Sequence, residues 1–247
     1  MRWYTRDTGG VRCSPTSSFT AFGVNKLGFV NVYAKDIGCL PEWQQKLWAG
    51  FNISPEGGVS EELLAAQAKG IPAETQAPEA FLQPAIQFLN EISTEKFGFR
   101  LFREHDQFAS LLKSAHRFRA TDQLSVFSLA KDLAKLTAEG IDASALQKIV
   151  PPPNKERWGS LKSLEHVLAL QADASNARAL LSPLVGINEL RHADAHLPSS
   201  DIDEAFALAQ VDQRAPFVSQ GKQLLHSCVS ALYRIAEMLK KFPNKGQ

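Results

Sequence analysis

The sequence predicts a mainly α protein, a C-terminal helical bundle preceded by a small N-terminal α+β lobe that contains a β-hairpin. Three observations predict it. The first forty residues carry aromatic and β-branched runs that suit strands. From Pro78 onward apolar residues recur at helical spacing nearly to the C-terminus. Between them lies "KGIPAETQAPE", a polar, proline-containing connector that places the boundary between a lobe of residues 1–77 and a helical domain of residues 78–247.

In chain order, "SFTAFGV" and "GFVNVYAKDI" flank the turn-like "NKLG" and read as the two arms of a hairpin. Pro41 then suits the first turn of a short helix carrying Trp43, Leu47 and Trp48, which reads as a docking surface or small core rather than a catalytic element. "NISPEGG" is a loop, and Ser60 caps a second helix through Leu63 and Leu64. Helices are expected over 78–95, 104–117, 121–139, 142–149, 160–171, 175–195, 201–211 and 216–241, with "VPPPNKERWG" breaking the series. The last is the clearest, because Phe217, Gly221, Leu224, Cys228, Leu232, Ile235 and Leu239 step by three and four residues into one apolar stripe. Pro183 either kinks the helix at 175–195 or sits at its first position behind Ser182, shortening it to 183–195. Ser200 and Asp203 are spaced like a capping box for the helix that follows.

Composition narrows the function classes. With 27 Lys and Arg against 26 Asp and Glu the formal charge is +1, so the chain has no general attraction to polyanions. The split is 8 basic against 10 acidic residues before Arg100 and 19 against 16 from there on, so nucleic-acid binding requires a local basic cleft. Arg100, Arg103, Lys113, Arg117 and Arg119 cluster along the helical stretch at 100–119. They read as a solvated helix face, with an RNA path as the sharper alternative. No segment nears about eighteen uninterrupted apolar residues, which speaks against a membrane partner, and "MRWYTRDTGG" lacks the apolar core of a signal peptide. A chain that begins on "MRWY" also fits the C-terminal part of something longer. Cys13, Cys39 and Cys228 are widely spaced and odd in number, so a reducing, cytoplasmic setting is expected, with Cys228 in the core. "PEGGV" lacks the helix-opening glycine pattern and the lysine of a phosphate loop, and no nucleotide cofactor is expected there.

Chemistry concentrates in "NELRHADAHLPSS". Leu180, Leu184 and Ile187 form an apolar line whose next positions are Arg191 and Asp194. A guanidinium in that place needs a carboxylate, a subunit partner or a bound anion, because an unpaired buried cation is prohibitive. His196 follows just before Pro198 ends the helix, about 140° around an ideal helix from Arg191, so the two converge only if the helix frays or two copies face each other. His192 and His196 share a face at i and i+4, but Ala193 stands where a zinc protease helix has its glutamate, and a third ligand is wanting. No metal site is therefore expected. His105, His116, His166 and His226 read as surface or locally satisfied histidines.

"RHADAH" in an all-helical setting resembles the R-x(4–6)-H signature of the HEPN superfamily, including the polar residue directly after the arginine. The resemblance covers the C-terminal half to two-thirds of the chain, with the stripe from Phe217 to Leu239 as the helix that follows the motif. It implies a HEPN-like helical bundle and a metal-independent endoribonuclease. RNA would be the substrate and a homodimer would assemble a composite active site. On this resemblance Arg191 holds the scissile phosphate and His196 serves as general acid–base while a ribose 2′-OH attacks. The products are 2′,3′-cyclic phosphate and 5′-OH ends. His192 orients the partner or touches phosphate, and Asp194 takes no catalytic role. A toxin or anti-phage defence effector is implied, with an antitoxin or defence-system partner. No tyrosine stands two residues after His196, where Pro198 is found, so the R-x(4)-H-x-Y variant is not supported. The alternative is a catalytically silent HEPN-like module for protein assembly or nucleotide binding.

Overall fold

The computed structural model describes the chain apart from residues 13, 15–18, 104–105, 154–155, 193–198 and 245–247, and gives residues 199 and 200 as backbone alone. The described chain is mainly helical, with one small antiparallel sheet, and it divides into two compact units, Met1–Ala77 and Pro78–Gln247. Among the described residues no helix is long and apolar enough to cross a membrane.

The first unit is built on four strands in sequential order: β1 (Arg2–Trp3), β2 (Thr8–Val11), β3 (Thr20–Val24) and β4 (Val30–Asn31). The expected hairpin is β3–β4, with Gly23 opposite Asn31 and Val24 opposite Val30. Its turn is fixed by Asn25, whose side-chain oxygen accepts the N–H groups of Leu27 and Phe29 while its amide donates to the carbonyls of Glu56 and Gly58. Gly28 closes the turn at φ 88°, a left-handed conformation that glycine adopts freely. The second arm is shorter than expected. After β4 the chain turns into α1 (Ala34–Gly38), because "AKDI" has no strand alternation and places Asp36 in a first turn that favours an acid. Helix α2 (Glu42–Gly50) follows Pro41, and α3 (Glu61–Ala68) starts on Ser60, whose hydroxyl accepts the Leu63 N–H at 3.4 Å. A Cβ at Gly23 would lie 2.5 Å from the Cβ of Ser60 and 2.6 Å from that of Leu63, so only glycine lets α3 rest on β3.

Glu62 on α3 ties the ends of this unit together. One carboxylate oxygen accepts the Thr5 hydroxyl and the Asp7 N–H; the other accepts the Thr75 hydroxyl and pairs with Arg6 at 3.1 Å. Burial pushes its pKa up, but the hydrogen bonds from Thr5, Thr75 and Asp7 and the Arg6 charge outweigh that and hold it below the usual carboxylate value.

The second unit opens with a 3₁₀ turn (Pro78–Phe81) and continues through α4 (Leu82–Phe97), α5 (Phe108–Ser114), a 3₁₀ turn (Arg117–Arg119), α6 (Gln123–Leu136), α7 (Ala143–Ile149), α8 (Ser160–Leu168), α9 (Ala174–Leu190), α10 (Ser199–Leu208) and α11 (Phe217–Leu239). Asp122, Asp142 and Asp173 cap α6, α7 and α9 by accepting backbone N–H groups three residues on. One apolar core runs from Leu82 to Phe242, and on α11 the stripe from Gly221 to Leu239 is buried. Cys228 is fully buried there, which pushes its thiol up to about 12. Pro183 lies inside α9 without ending it, so the helix is neither shortened to 183 nor restarted by Ser182, whose hydroxyl turns to the Leu208 carbonyl. Three residues on, a Cβ at Gly186 would lie 2.3 Å from the Ala209 nitrogen and 2.6 Å from the Ala205 carbonyl oxygen, so α10 meets α9 backbone to backbone. Helix α10 starts at Ser199, ahead of the Ser200 cap that spacing predicts.

The helix expected at 104–117 is a correction. The structure has the short α5 and a separate 3₁₀ turn, and the basic run does not line one solvated face. Arg117 is 1% exposed, pairs with Glu79 and lies 4.4 Å from the centre of the Phe118 ring. Arg119 pairs with Asp132 and donates to the Ser128 hydroxyl at 2.7 Å. His116 shares the Glu79 carboxylate, with its Nε2 3.0 Å away. Burial holds the His116 imidazole below its ordinary value; the Glu79 charge opposes this, and the Arg117 charge adds to it.

Candidate functional site

The candidate site lies where α9 ends against the turn after α6. Helix α9 buries Leu180, Leu184 and Ile187, and the next position of that line is Arg191, the C-cap residue. Its side chain is about a quarter exposed, at 24%. Of the three ways to satisfy a cation in this place, the structure supplies a carboxylate, since Nη1 of Arg191 donates to Glu139. Nε donates to Nε2 of the neighbouring His192 at 2.8 Å, which makes that ring nitrogen an acceptor. Glu139 is 44% exposed, and an ion pair in that setting contributes only about 0–1 kcal/mol. It holds the guanidinium in place while leaving it easy to exchange for another anion.

Glu139 is itself placed by a tight turn. Helix α6 ends at Leu136, and the Glu139 N–H returns to the Ala134 carbonyl at 2.9 Å. Phe102 and Ile141, 4% and 1% exposed, pair as an antiparallel bridge that clasps this turn to the strand-like segment 101–103. The Arg103 N–H donates to the Gly140 carbonyl and the Asp142 N–H to the Leu101 carbonyl, both at 2.8 Å. The side-chain oxygen of Asn90 on α4 accepts the Phe102 N–H at 2.8 Å and anchors the segment from behind. The clasp brings in a second arginine, because Nη2 of exposed Arg103 donates to the Glu139 carbonyl oxygen at 2.6 Å. Two guanidinium groups therefore end on one residue.

Arg191 and His192 are thus brought together, whereas His196 and Asp194 lie outside the described residues. Sequence reasoning missed Glu139 altogether and placed Arg103 only in a basic run. One signal was available for the glutamate. It follows the C-terminus of α6, where the helix dipole disfavours a negative charge, and a carboxylate there calls for a cation.

Other chemistry-bearing side chains are accounted for locally. His116 pairs with Glu79, His166 stacks on Trp158 with ring centres 3.8 Å apart, and His226 is exposed on α11. Among the described residues no group of three or more His, Cys, Asp or Glu is placed to hold a metal ion. A groove of about 1220 Å³ in the first unit is walled by apolar side chains such as Phe22, Trp48 and Phe51, and no histidine or arginine lines it. Its charged lining, Glu42, Lys46 and Glu56, includes a Lys46–Glu42 ion pair at 2.8 Å, and the arginine-bearing corner is the better candidate for phosphate chemistry. No family model, curated protein or solved structure matches the chain.

Proposed function

We propose that the helical unit is a metal-independent endoribonuclease of HEPN type, with Arg191 and His196 as its catalytic pair and His192 in support. The observation that carries the reading is Arg191 itself. A forked, permanently charged donor closes an otherwise apolar helix line, stays partly exposed, and has an imidazole on its Nε. In the proposed reaction His196 takes the proton of a ribose 2′-OH as that oxygen bonds to the adjacent phosphorus. The P–O5′ bond breaks, a proton passes to O5′, and the ends are a 2′,3′-cyclic phosphate and a 5′-OH. Arg191 stabilises the charge that grows on the phosphoryl oxygens. A homodimer in which two such helix ends face each other supplies the composite cleft, and a toxin or phage-defence setting fits this activity.

The test is cleavage of a labelled, structured RNA in EDTA by wild type, Arg191→Ala and His196→Ala, with product ends mapped. The expected outcome is chelator-resistant cutting to cyclic-phosphate ends that falls by about 100-fold or more in each variant, the scale of losing one transition-state donor. A second reading, a silent module for assembly or nucleotide binding, is favoured by the Glu139 carboxylate already on Arg191. Intact RNA with every folded protein, beside retained self-association, would establish it instead.

A further inference from the structure

We infer that Arg103 is a second phosphate-binding residue of the Arg191 site, and that Glu139 is an internal anion standing where a nucleic-acid phosphate binds. The inference deepens the nuclease reading and rests on it for the identity of the substrate. Its own foundation is the corner described above. Arg191 meets the carboxylate of Glu139, and Arg103 meets the backbone carbonyl of the same residue. Both guanidinium groups spend donors on groups that a phosphate oxygen replaces in kind, since carboxylate, carbonyl and phosphate oxygens are all acceptors and the phosphate is charged.

The two partners differ in how they are held. The backbone of Arg103 is fixed by the bridge to Gly140 and by the bond from Phe102 to Asn90, so its side chain departs from a rigid base. The Glu139 side chain is nearly half exposed and attached to a turn, so it can swing into solvent without disturbing the clasp, which uses only backbone groups of residues 101–103 and 140–142. When it swings away, two forked cations remain at one corner of a molecule whose formal charge is only +1. A local pair of this kind is what a nearly neutral protein needs to hold a polyanion. With Glu139 in place its carboxylate offsets one of the two charges and occupies Arg191, so binding RNA requires displacing a competitor already on site.

The probe is a fluorescein-labelled single-stranded RNA with 2′-O-methyl groups throughout, which cannot be cut by 2′-OH attack. Its affinity is read by anisotropy over a salt series for wild type, Glu139→Gln, Arg103→Ala, Arg103→Lys and Arg191→Ala, with circular dichroism to confirm folding. Glu139→Gln keeps the shape and removes the competing charge, and it is expected to bind about fivefold tighter or more. Arg103→Ala and Arg191→Ala each cancel that gain when combined with Glu139→Gln, and each lowers the slope of log affinity against log salt by about 0.7. Arg103→Lys keeps the slope but loses part of the affinity, because a single ammonium replaces a fork. Unchanged affinity in Glu139→Gln, or an unchanged salt slope in Arg103→Ala, overturns the inference. Failure of the nuclease reading looks different: RNA stays uncut in EDTA while the arginine-dependent gain in affinity persists. Conversely, cutting that needs Arg191 and His196, but an affinity indifferent to Glu139 and Arg103, keeps the nuclease and discards the inference.

Discussion

In the N-terminal unit the large buried apolar side chains among the described residues are Phe22, Val24, Leu40 and Leu63, whereas the helical unit buries a continuous cluster from Leu82 to Phe242. The first unit leaves Trp43, Leu47 and Phe51 at 53%, 51% and 84% exposure and is tied instead by polar hubs, Glu62 at its ends and Asn25 at its hairpin. A chain of 77 residues cannot enclose much apolar volume, so directional bonds carry a larger share of its specificity. The helical unit can tolerate a polar corner such as Glu139 with its two arginines because its core does not depend on it. A functional corner costs least where packing is in surplus.

The sharpest way to break this comparison is to remove one side chain from the smaller core. Phe22→Ala is expected to cost about 3–5 kcal/mol, enough to unfold the first unit. Hydrogen exchange should then show peptides within 1–77 losing protection while those from Leu82 to Leu239 keep theirs. Simultaneous loss in both would mean that the units fold as one and that the contrast is false. A smaller effect is expected from Glu62→Gln. The amide keeps one acceptor oxygen and leaves donors such as the Asp7 N–H facing an NH₂ group, a loss of about 1–3 kcal/mol. Urea unfolding followed by tryptophan fluorescence in a Trp158→Phe background reads this unit alone, since Trp3, Trp43 and Trp48 are the remaining tryptophans.

The mildest test is acidification. The folded-state value of His116 lies below its ordinary one near 6.5, so the unfolded chain binds that proton more readily. Stability of the helical unit is then full above about pH 6.5 and declines as pH falls from there through the lowered value. The folded-state value of Glu62 also lies below its ordinary one, so its contribution is present above about pH 4.5 and is lost as pH falls through its lowered value. Between pH 7 and 5 the helical unit should weaken and the first unit should not. Circular dichroism melts of wild type and His116→Gln separate the two, and a decline that survives the substitution would assign it to another group.

Much of the helical fold was legible because its apolar residues keep a helical period. The last helix, expected at 216–241, spans Phe217–Leu239, whereas the caps Asp122, Asp142 and Asp173 emerge only with the structure. The β3–β4 hairpin was legible from aromatic runs around a turn. Strands β1 and β2 were not individually legible: "TGGV" offers glycines where a strand pattern asks for side chains, and Gly9 and Gly10 are there because Phe22, Tyr4 and Phe19 fill the space a Cβ would take. The helix expected at 104–117 failed because Arg117 looks like a surface residue until Glu79, 38 residues earlier, is known to be beside it. The candidate site was half legible for the same reason. Its arginine is written into the periodicity of α9, but its carboxylate comes from a turn 52 residues away that only the fold brings close.

One consequence of Gly186 is mechanical. With no clearance between α9 and α10 at that point, the glycine acts as a shim of zero thickness between two rods. Arg191 stands five residues further along the first rod, about 7.5 Å of helix rise. A single methyl group at Gly186 changes no charge and touches neither Arg191 nor Glu139, yet it must wedge the rods apart against backbone atoms that cannot yield. The angle at which α9 delivers its arginine is therefore set by the thickness of a side chain that is absent, and steric adjustment of the site can be dialled from a position remote from its electrostatics.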